Sequence, residues 1–177
     1  LKVYDVPVMY FPKFFHPDPT VKRQSGFLIP TIKNSSNSDN YLNTPYFLAL
    51  AENKDATFSP RFFADDKILL QTEYREVGLN SNHIADFSYF TENDKGSKNH
   101  FFYEYDNEFE SENFENNKIK LKIQQTSSDT YLKADKLDND ITSDYNNLEN
   151  SFGLDVYTDD LAISFNTNVY EDLNKDP

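Results

Sequence analysis

Ser88, His100 and Asp106 are side chains with the composition of a hydrolase triad in this sequence of 177 residues. A serine nucleophile needs an imidazole within hydrogen-bond reach and a carboxylate that orients the imidazole. All three sit in segments that alternate like strands, so neighbouring strands are one way to unite them, yet nothing in their spacing fixes that geometry. The acidic stretch holding Asp129, Asp135, Asp138, Asp140, Asp144 and Glu149 offers oxygens fit for calcium. It lacks the glycine and spacing of an EF-hand loop and reads as a solvated loop. His16, His83 and His100 have no cysteine partners and no metal-ligand spacing, so neither a metal nor a cofactor is expected.

The remaining chemistry is charge and backbone. Lys22 and Arg23 form a basic pair suited to phosphate or to anchoring at a membrane interface. Arg61, Arg75, Lys118, Lys120 and Lys122 share one side of their segments with Glu73 and Glu104, and either meet phosphates or pair among themselves. In "HPDPTVKRQSGFLIPTIKNSS", Pro17 and Pro19 stiffen a short connector, and Pro30 falls inside the apolar run from Gly26 to Ile32. Proline has no amide donor and belongs at a sheet edge, so Pro30 and Pro45 mark ladders built with bonds missing.

The elements that carry these residues have a period of two. "KIKLKIQ" sets Ile119, Leu121 and Ile123 against Lys118, Lys120 and Lys122. "HFFYEYDNEF" sets Phe101, Tyr103 and Tyr105 against His100, Phe102, Glu104 and Asp106. "ILLQTEYRE" and "LAISFNTNVY" alternate likewise. This predicts an extended segment from Val3 to Phe15 and then about nine meandering antiparallel strands. They begin near Phe27, Leu42, Ala56, Ile68, His83, Asn99, Asn117, Phe152 and Leu161. Only "YLKADKLDND" has the character of a helix. The connections use Asn, Asp, Ser and Lys, and the one from 127 to 150 exceeds ordinary loop lengths. It falls on the same side as "NSSNSDN", with the tight turns "AENKD", "VGLNSN" and "TDD" opposite, the asymmetry of outer-membrane barrels.

Composition narrows the class. Seventeen basic against 30 acidic residues give a net charge of −13, which argues against a nucleic-acid partner. Without cysteine there is no internal disulfide and no thiol catalysis. The start "LKVYDVPV" has neither an initiator Met nor a signal peptide, and reads as an excerpt of something longer. Aromatics make up 16% of the chain, all Tyr or Phe, while hydrophobics reach 37%. The apolar rows face either lipid or a soluble core. Strand length, terminal aromatics and the charged opposite row favour lipid.

The segment "YDVPVMYFPKFFHPDPTVKRQSGFLIP" resembles a region of the LptD family of lipopolysaccharide-assembly proteins, also called organic solvent tolerance proteins. The family's "DVPV-Y-P" matches Asp5, Val6, Pro7, Val8, Tyr10 and Pro12. Its "(R/K)(R/K)-SGFL-P" matches Lys22, Arg23, Ser25, Gly26, Phe27, Leu28 and Pro30. "TPYFLALAENKDATFSPRFF" is similar to the family's next strand pair through Pro45, Tyr46, Ala51, Asn53, Asp55, Ala56, Thr57, Pro60 and Arg61. Glu73, Tyr74 and Arg75 continue it. Glu52 and Leu48 depart from the family's frequent Pro and Trp.

The resemblance implies an all-β fold: part of a large transmembrane β-barrel in the outer membrane of a Gram-negative bacterium. Residues 1–25 would end a periplasmic jellyroll and form the hinge with Pro17 and Pro19, and residues 26–177 would begin the barrel. The implied partners are lipopolysaccharide (LPS), the plug lipoprotein LptE and the periplasmic bridge protein LptA, with no chemistry performed by the chain. A lateral gate is expected beside Phe27, Leu28, Pro30 and Pro45, with phosphate contacts at Lys22 and Arg23. A generic porin-like or adhesive barrel and an outer-membrane hydrolase are the alternatives. With two free sheet edges, the excerpt is expected not to fold alone.

Overall fold

Alternating β-branched, aromatic and charged residues stand as strands only if one row finds an apolar environment and the other a polar one. The computed structural model describes residues 2–3, 6–7, 23–33, 40–64, 66–92, 96–111, 114–134, 137, 139–142 and 144–174. Near the N-terminus, β1 (Lys2–Val3) and β2 (Val6–Pro7) pair with each other, Val3 opposite Val6. This pairing turns the chain back within the extended segment expected from Val3 to Phe15, whose residues 8–15 lie outside the described residues.

The other strands form one antiparallel sheet. They are β3 (Gly26–Phe27), β4 (Thr31–Lys33), β5 (Tyr41–Asn43), β6 (Tyr46–Ala51), β7 (Lys54–Phe63), β8 (Ile68–Val77), β9 (Ser81–Glu92), β10 (Gly96–Ser111), β11 (Phe114–Thr126), β12 (Asn147–Tyr157) and β13 (Ala162–Asp172). β3 and β4 are two halves of one pass, and β5 and β6 two halves of the next. Among the described residues the sheet is therefore a meander of nine passes, as the alternation predicted. Turns use the chemistry expected where glycine is scarce. Asn53 Nδ2 donates to Val77 O at 3.0 Å, and the Val77 amide returns a bond to Asn53 O at 2.9 Å. Asp66 takes a φ of 58° before β8, and Gly96 one of 87° entering β10.

The register sorts the side chains into two faces. Leu42, Phe62 and Ile68 stand in one cross-strand row, and Thr72, Phe87 and Phe101 in another. Tyr105, Leu121, Phe152 and Thr167 form a third, and Ile119, Leu154 and Phe165 a fourth. This apolar face runs from β3 to β13 and is left uncovered by the described residues, with Phe27 and Ile32 more than three-quarters exposed.

The opposite face is polar along most of its length and carries the buried core at one end. Leu69, Phe90 and Phe102 on β8, β9 and β10 pack against Tyr131, Leu132, Leu137, Ile141, Leu148 and Leu173. Tyr131 and Leu132 belong to α1 (Tyr131–Ala134), in the segment expected to hold the helix. The 127–146 connection is thus not the solvated loop expected. Its apolar residues fold back over the inner face, because Leu69, Phe90 and Phe102 form an apolar patch there.

Candidate functional site

The first strand is poorly tied to its neighbour. Phe27 lies opposite Tyr46 and Thr31 opposite Asn43, so Leu28, Ile29 and Pro30 face only Thr44 and Pro45. The extra residue is a bulge, which breaks the ladder and increases local twist. Leu28 N donates to Pro45 O at 2.8 Å, and Pro45 has no N–H to return the bond. One residue back, Thr44 N donates to Pro60 O on β7 at 3.1 Å, again without return. Counting back from Thr31, which pairs inward with β5, alternation sets the Pro30 nitrogen on the sheet's outer edge. Phe27 makes an edge-on contact with Tyr46, 4.9 Å between ring centroids, while Leu28 and Ile29 are exposed.

Behind this edge lies an ionic chain on the inner face. Arg23 pairs with Asp55 and lies 5.5 Å from the Phe47 ring centre. Asp55 also accepts from Arg75 Nε at 3.0 Å, and Arg75 reaches Glu73 at 3.4 Å. Asp140 of the folded-back loop comes within 3.8 Å of Arg75. Arg61 is buried, donates to Gln71 Oε1 at 3.5 Å and lies over the Tyr41 ring. Lys118, Lys120 and Lys122 meet Glu108, Asp106 and Glu104 at 2.7, 3.9 and 2.9 Å, and Lys122 also meets Glu149. A cavity of about 420 Å³ runs along this wall from Leu28 and Asn43 past Arg61, Glu73 and Arg75 to Asp86. Pro17, Pro19 and Lys22 lie outside the described residues.

Ser88 and His100 do meet: Ser88 Oγ is 2.5 Å from His100 Nδ1. The carboxylate is Asp86 and not Asp106, with Oδ1 2.5 Å from His100 Nε2. Register explains the change: Ser88 faces His100 and Asp86 faces Phe102, next along the same two strands, whereas Asp106 lies further down β10 beside Lys120. Gln71 Nε2 donates to both Asp86 oxygens, at 3.2 and 3.0 Å. Tyr131 OH is 2.7 Å from Ser88 Oγ. Ser88 and His100 have no exposed surface, so a substrate has no path to the hydroxyl. The set is a buried hydrogen-bond chain that fastens α1 to the wall. Tyr131, the residue that closes it, carried no signal in the sequence beyond an aromatic within a polar loop.

Among the described residues no group of three or more His, Asp or Glu is placed to hold a metal ion. The acidic loop's Asp140 and Asp144 are engaged with Arg75 and with Asn146 and Asn147. Its Asp135 and Asp138 lie outside the described residues.

No protein-family profile matches the chain. Curated relatives do. An LPS-assembly protein LptD of Pseudomonas fluorescens is 36% identical over 104 residues, which cover 59% of this chain and 11% of the relative. One of Pseudomonas aeruginosa is 38% identical over 94 residues, covering 53% of this chain and 10% of the relative. One of Pseudoalteromonas atlantica is 28% identical across 97% of this chain and 22% of its own length. The chain therefore spans between a tenth and about a fifth of these relatives. As the "DVPV" and "SGFL" motifs implied, it is similar to a segment of the LPS-assembly protein LptD, in an all-β form.

Proposed function

We propose that this chain supplies the opening strands of an outer-membrane β-barrel that takes part in LPS assembly in a Gram-negative bacterium. The observation that carries the reading is the pairing of two opposite faces on one long-stranded sheet. Strands of 10 residues in β7 and β8 and 11 in β12 and β13 suit a tilted crossing of the hydrocarbon layer. The uncovered apolar row then meets lipid, and the row with Arg61, Glu73, Arg75, Lys118, Lys120 and Lys122 meets a wet lumen. Residues 26–177 are the barrel portion and residues 1–25 the end of a periplasmic jellyroll with its hinge. LptE inside the lumen and LptA on the periplasmic side are the partners the relatives' family implies.

Transport here needs no covalent chemistry. It needs a path for acyl chains into the bilayer while sugars stay in water. In lipid an unpaired backbone group costs several kcal/mol, so a sheet parts where fewest bonds must break. The bulge at Ile29–Pro30 and the unreturned bond at Leu28–Pro45 favour the first strand as that lateral gate. Arg23, beside the ionic chain at the same edge, together with Lys22, would meet lipid phosphates as they enter.

Replacing Pro30 and Pro45 together in the full-length protein with residues that donate to the ladder tests the gate. LPS delivery to the cell surface is expected to slow, followed by labelling of surface LPS over time. Delivery at the unaltered rate, with normal amounts of folded barrel, would overturn the reading.

A further inference from the structure

Glu76, His83 and Tyr105 stand opposite one another on β8, β9 and β10, and Lys54 extends the row onto β7. Leu121 and Phe152 continue it on the other side, so the row belongs to the uncovered outer face. It lies at the end of the sheet with the tight turns, since Lys54 opens β7 and Val77 closes β8. Charged side chains on an outer face belong at such a level, because the cost of a charge facing lipid falls away toward the interface.

The groups in this row are held in place. Tyr74 donates its hydroxyl hydrogen to Glu76 Oε2, and Lys54 Nζ lies 3.9 Å from Glu76 Oε1. The Lys54 and Glu76 side chains are 40% and 32% exposed, and a carboxylate has acceptor sites beyond these two. Tyr103 OH is 2.9 Å from His83 Nδ1, and the Tyr105 ring lies 4.5 Å from the imidazole between centroids. With the tyrosine hydroxyl donating to Nδ1, the ring hydrogen stands on Nε2 and is free to be donated outward. Two residues along β9, Ala85 sits between Tyr74 and Tyr103. Two rings flanking a methyl group leave a shallow notch that leads from His83 toward the apolar rows.

Neighbouring strands stand about 4.8 Å apart, so a carboxylate and an imidazole donor are presented side by side at that spacing. They complement a headgroup that carries an ammonium next to a phosphate, with the ammonium on Glu76 and the phosphate on His83. An anionic headgroup without an amine leaves Glu76 facing phosphate, and a quaternary ammonium has no hydrogen to donate.

We propose that this patch is a binding site for an aminophospholipid, phosphatidylethanolamine being the simplest, with one acyl chain lying over Ala85. The inference rests on the barrel reading for placing the outer face in lipid.

The test reconstitutes the full-length protein in phosphatidylcholine vesicles doped with a lipid whose acyl chain is photoreactive. Phosphoethanolamine, phosphocholine and phosphoglycerol headgroups are compared, and the labelled peptides are mapped after irradiation. The phosphoethanolamine probe is expected to label β8, β9 and β10 about fivefold more than the other two, the worth of one hydrogen bond. Labelling of β12 and β13 is expected to be the same with all three. Glu76→Gln removes the charge that holds the ammonium, and His83→Phe removes the phosphate donor but keeps a ring. Each is expected to bring phosphoethanolamine labelling down to the phosphocholine level. Equal labelling of β8 to β10 by the three probes, stronger labelling by phosphoglycerol, or a preference that survives both substitutions overturns the site. The two readings fail separately. Label on β12 and β13 without any headgroup preference on β8 to β10 removes the site alone, whereas no label on either region from any probe removes the barrel reading and the site with it.

Discussion

Leu28 gives its amide hydrogen to Pro45, and Pro45 has none to give back. Thr44, the neighbouring residue, stands in the same one-sided relation to Pro60, but across the opposite edge of its strand. The two one-sided bonds thus flank the second strand, one toward the first strand and one toward the third. Pro45→Val adds one bond toward the first strand, worth about 1 kcal/mol or fivefold in an opening equilibrium. It is expected to slow surface delivery of LPS by roughly that factor. Pro60→Val adds a comparable bond from β7 to Thr44 O on the second strand and is expected to raise the melting temperature with delivery unchanged. Equal slowing by both would mean that the first strand has no special part in opening.

Tyr131 holds the folded-back loop through a fully buried hydroxyl pair with Ser88. Tyr131→Phe leaves the ring in place among Phe90 and His100 and deletes the hydroxyl with its bond to Ser88, at a cost of about 1 to 3 kcal/mol for a buried polar partner left short. The expected result is faster proteolytic cleavage within 127–146 of the full-length protein, with the strand core intact by circular dichroism. His100→Phe, which removes the contacts to both Ser88 and Asp86, should do more. Cleavage rates matching the parent would show that the apolar contacts alone secure the loop.

The sheet was readable because its information is local. Rows such as Lys118 to Ile123 state their own period, and a one-residue slip would turn every side chain over. Strand starts near Ala56, Ile68 and His83 and the helix near Tyr131 follow from that pattern and from Asn- and Asp-rich turns. The inward fold of the long connection was not readable. Tyr131, Leu132, Leu137 and Ile141 are spread through an acidic stretch, and the patch they cover is assembled from Leu69, Phe90 and Phe102 on three strands. The same distance in sequence hid Asp86 as the partner of His100, since only the register makes them neighbours. The bulge at Ile29–Pro30 was half visible: Pro30 signalled a missing donor, but an extra residue shows only once two ladders are counted against each other.

The Asp144 turn responds to acid. Asn147 Nδ2 and Asn146 N donate to its carboxylate at 3.0 and 2.8 Å, which depresses its folded-state value. A depressed carboxylate supports the fold above its unfolded value, near 3.9, and that support is lost as pH falls through the lower folded one. Amide exchange at Asn146 is therefore expected to accelerate, beyond its intrinsic pH dependence, as pH drops below about 4. Asp144→Asn should give that faster exchange already at pH 7. Protection at Asn146 that is the same in parent and variant would rule this turn out as a carboxylate-held one.

Leu121 and Lys120 adjoin on β11 and point to opposite faces, so they report separately on what each face meets. Leu121 sits in the row of Tyr105 and Phe152. Lys120 makes a loose, exposed pair with Asp106 at 3.9 Å. If the outer row meets hydrocarbon, Leu121→Arg destabilises the full-length protein in lipid vesicles by about 2 to 4 kcal/mol, the penalty for a charge near the bilayer midplane. Lys120→Ala then changes stability by less than about 1 kcal/mol, because an exposed ion pair contributes little. If water bathes the outer row instead, an arginine there is solvated and the penalty disappears. Urea titrations in vesicles read the difference directly, and a Leu121→Arg protein as stable as its parent would remove the membrane assignment on which the gate depends.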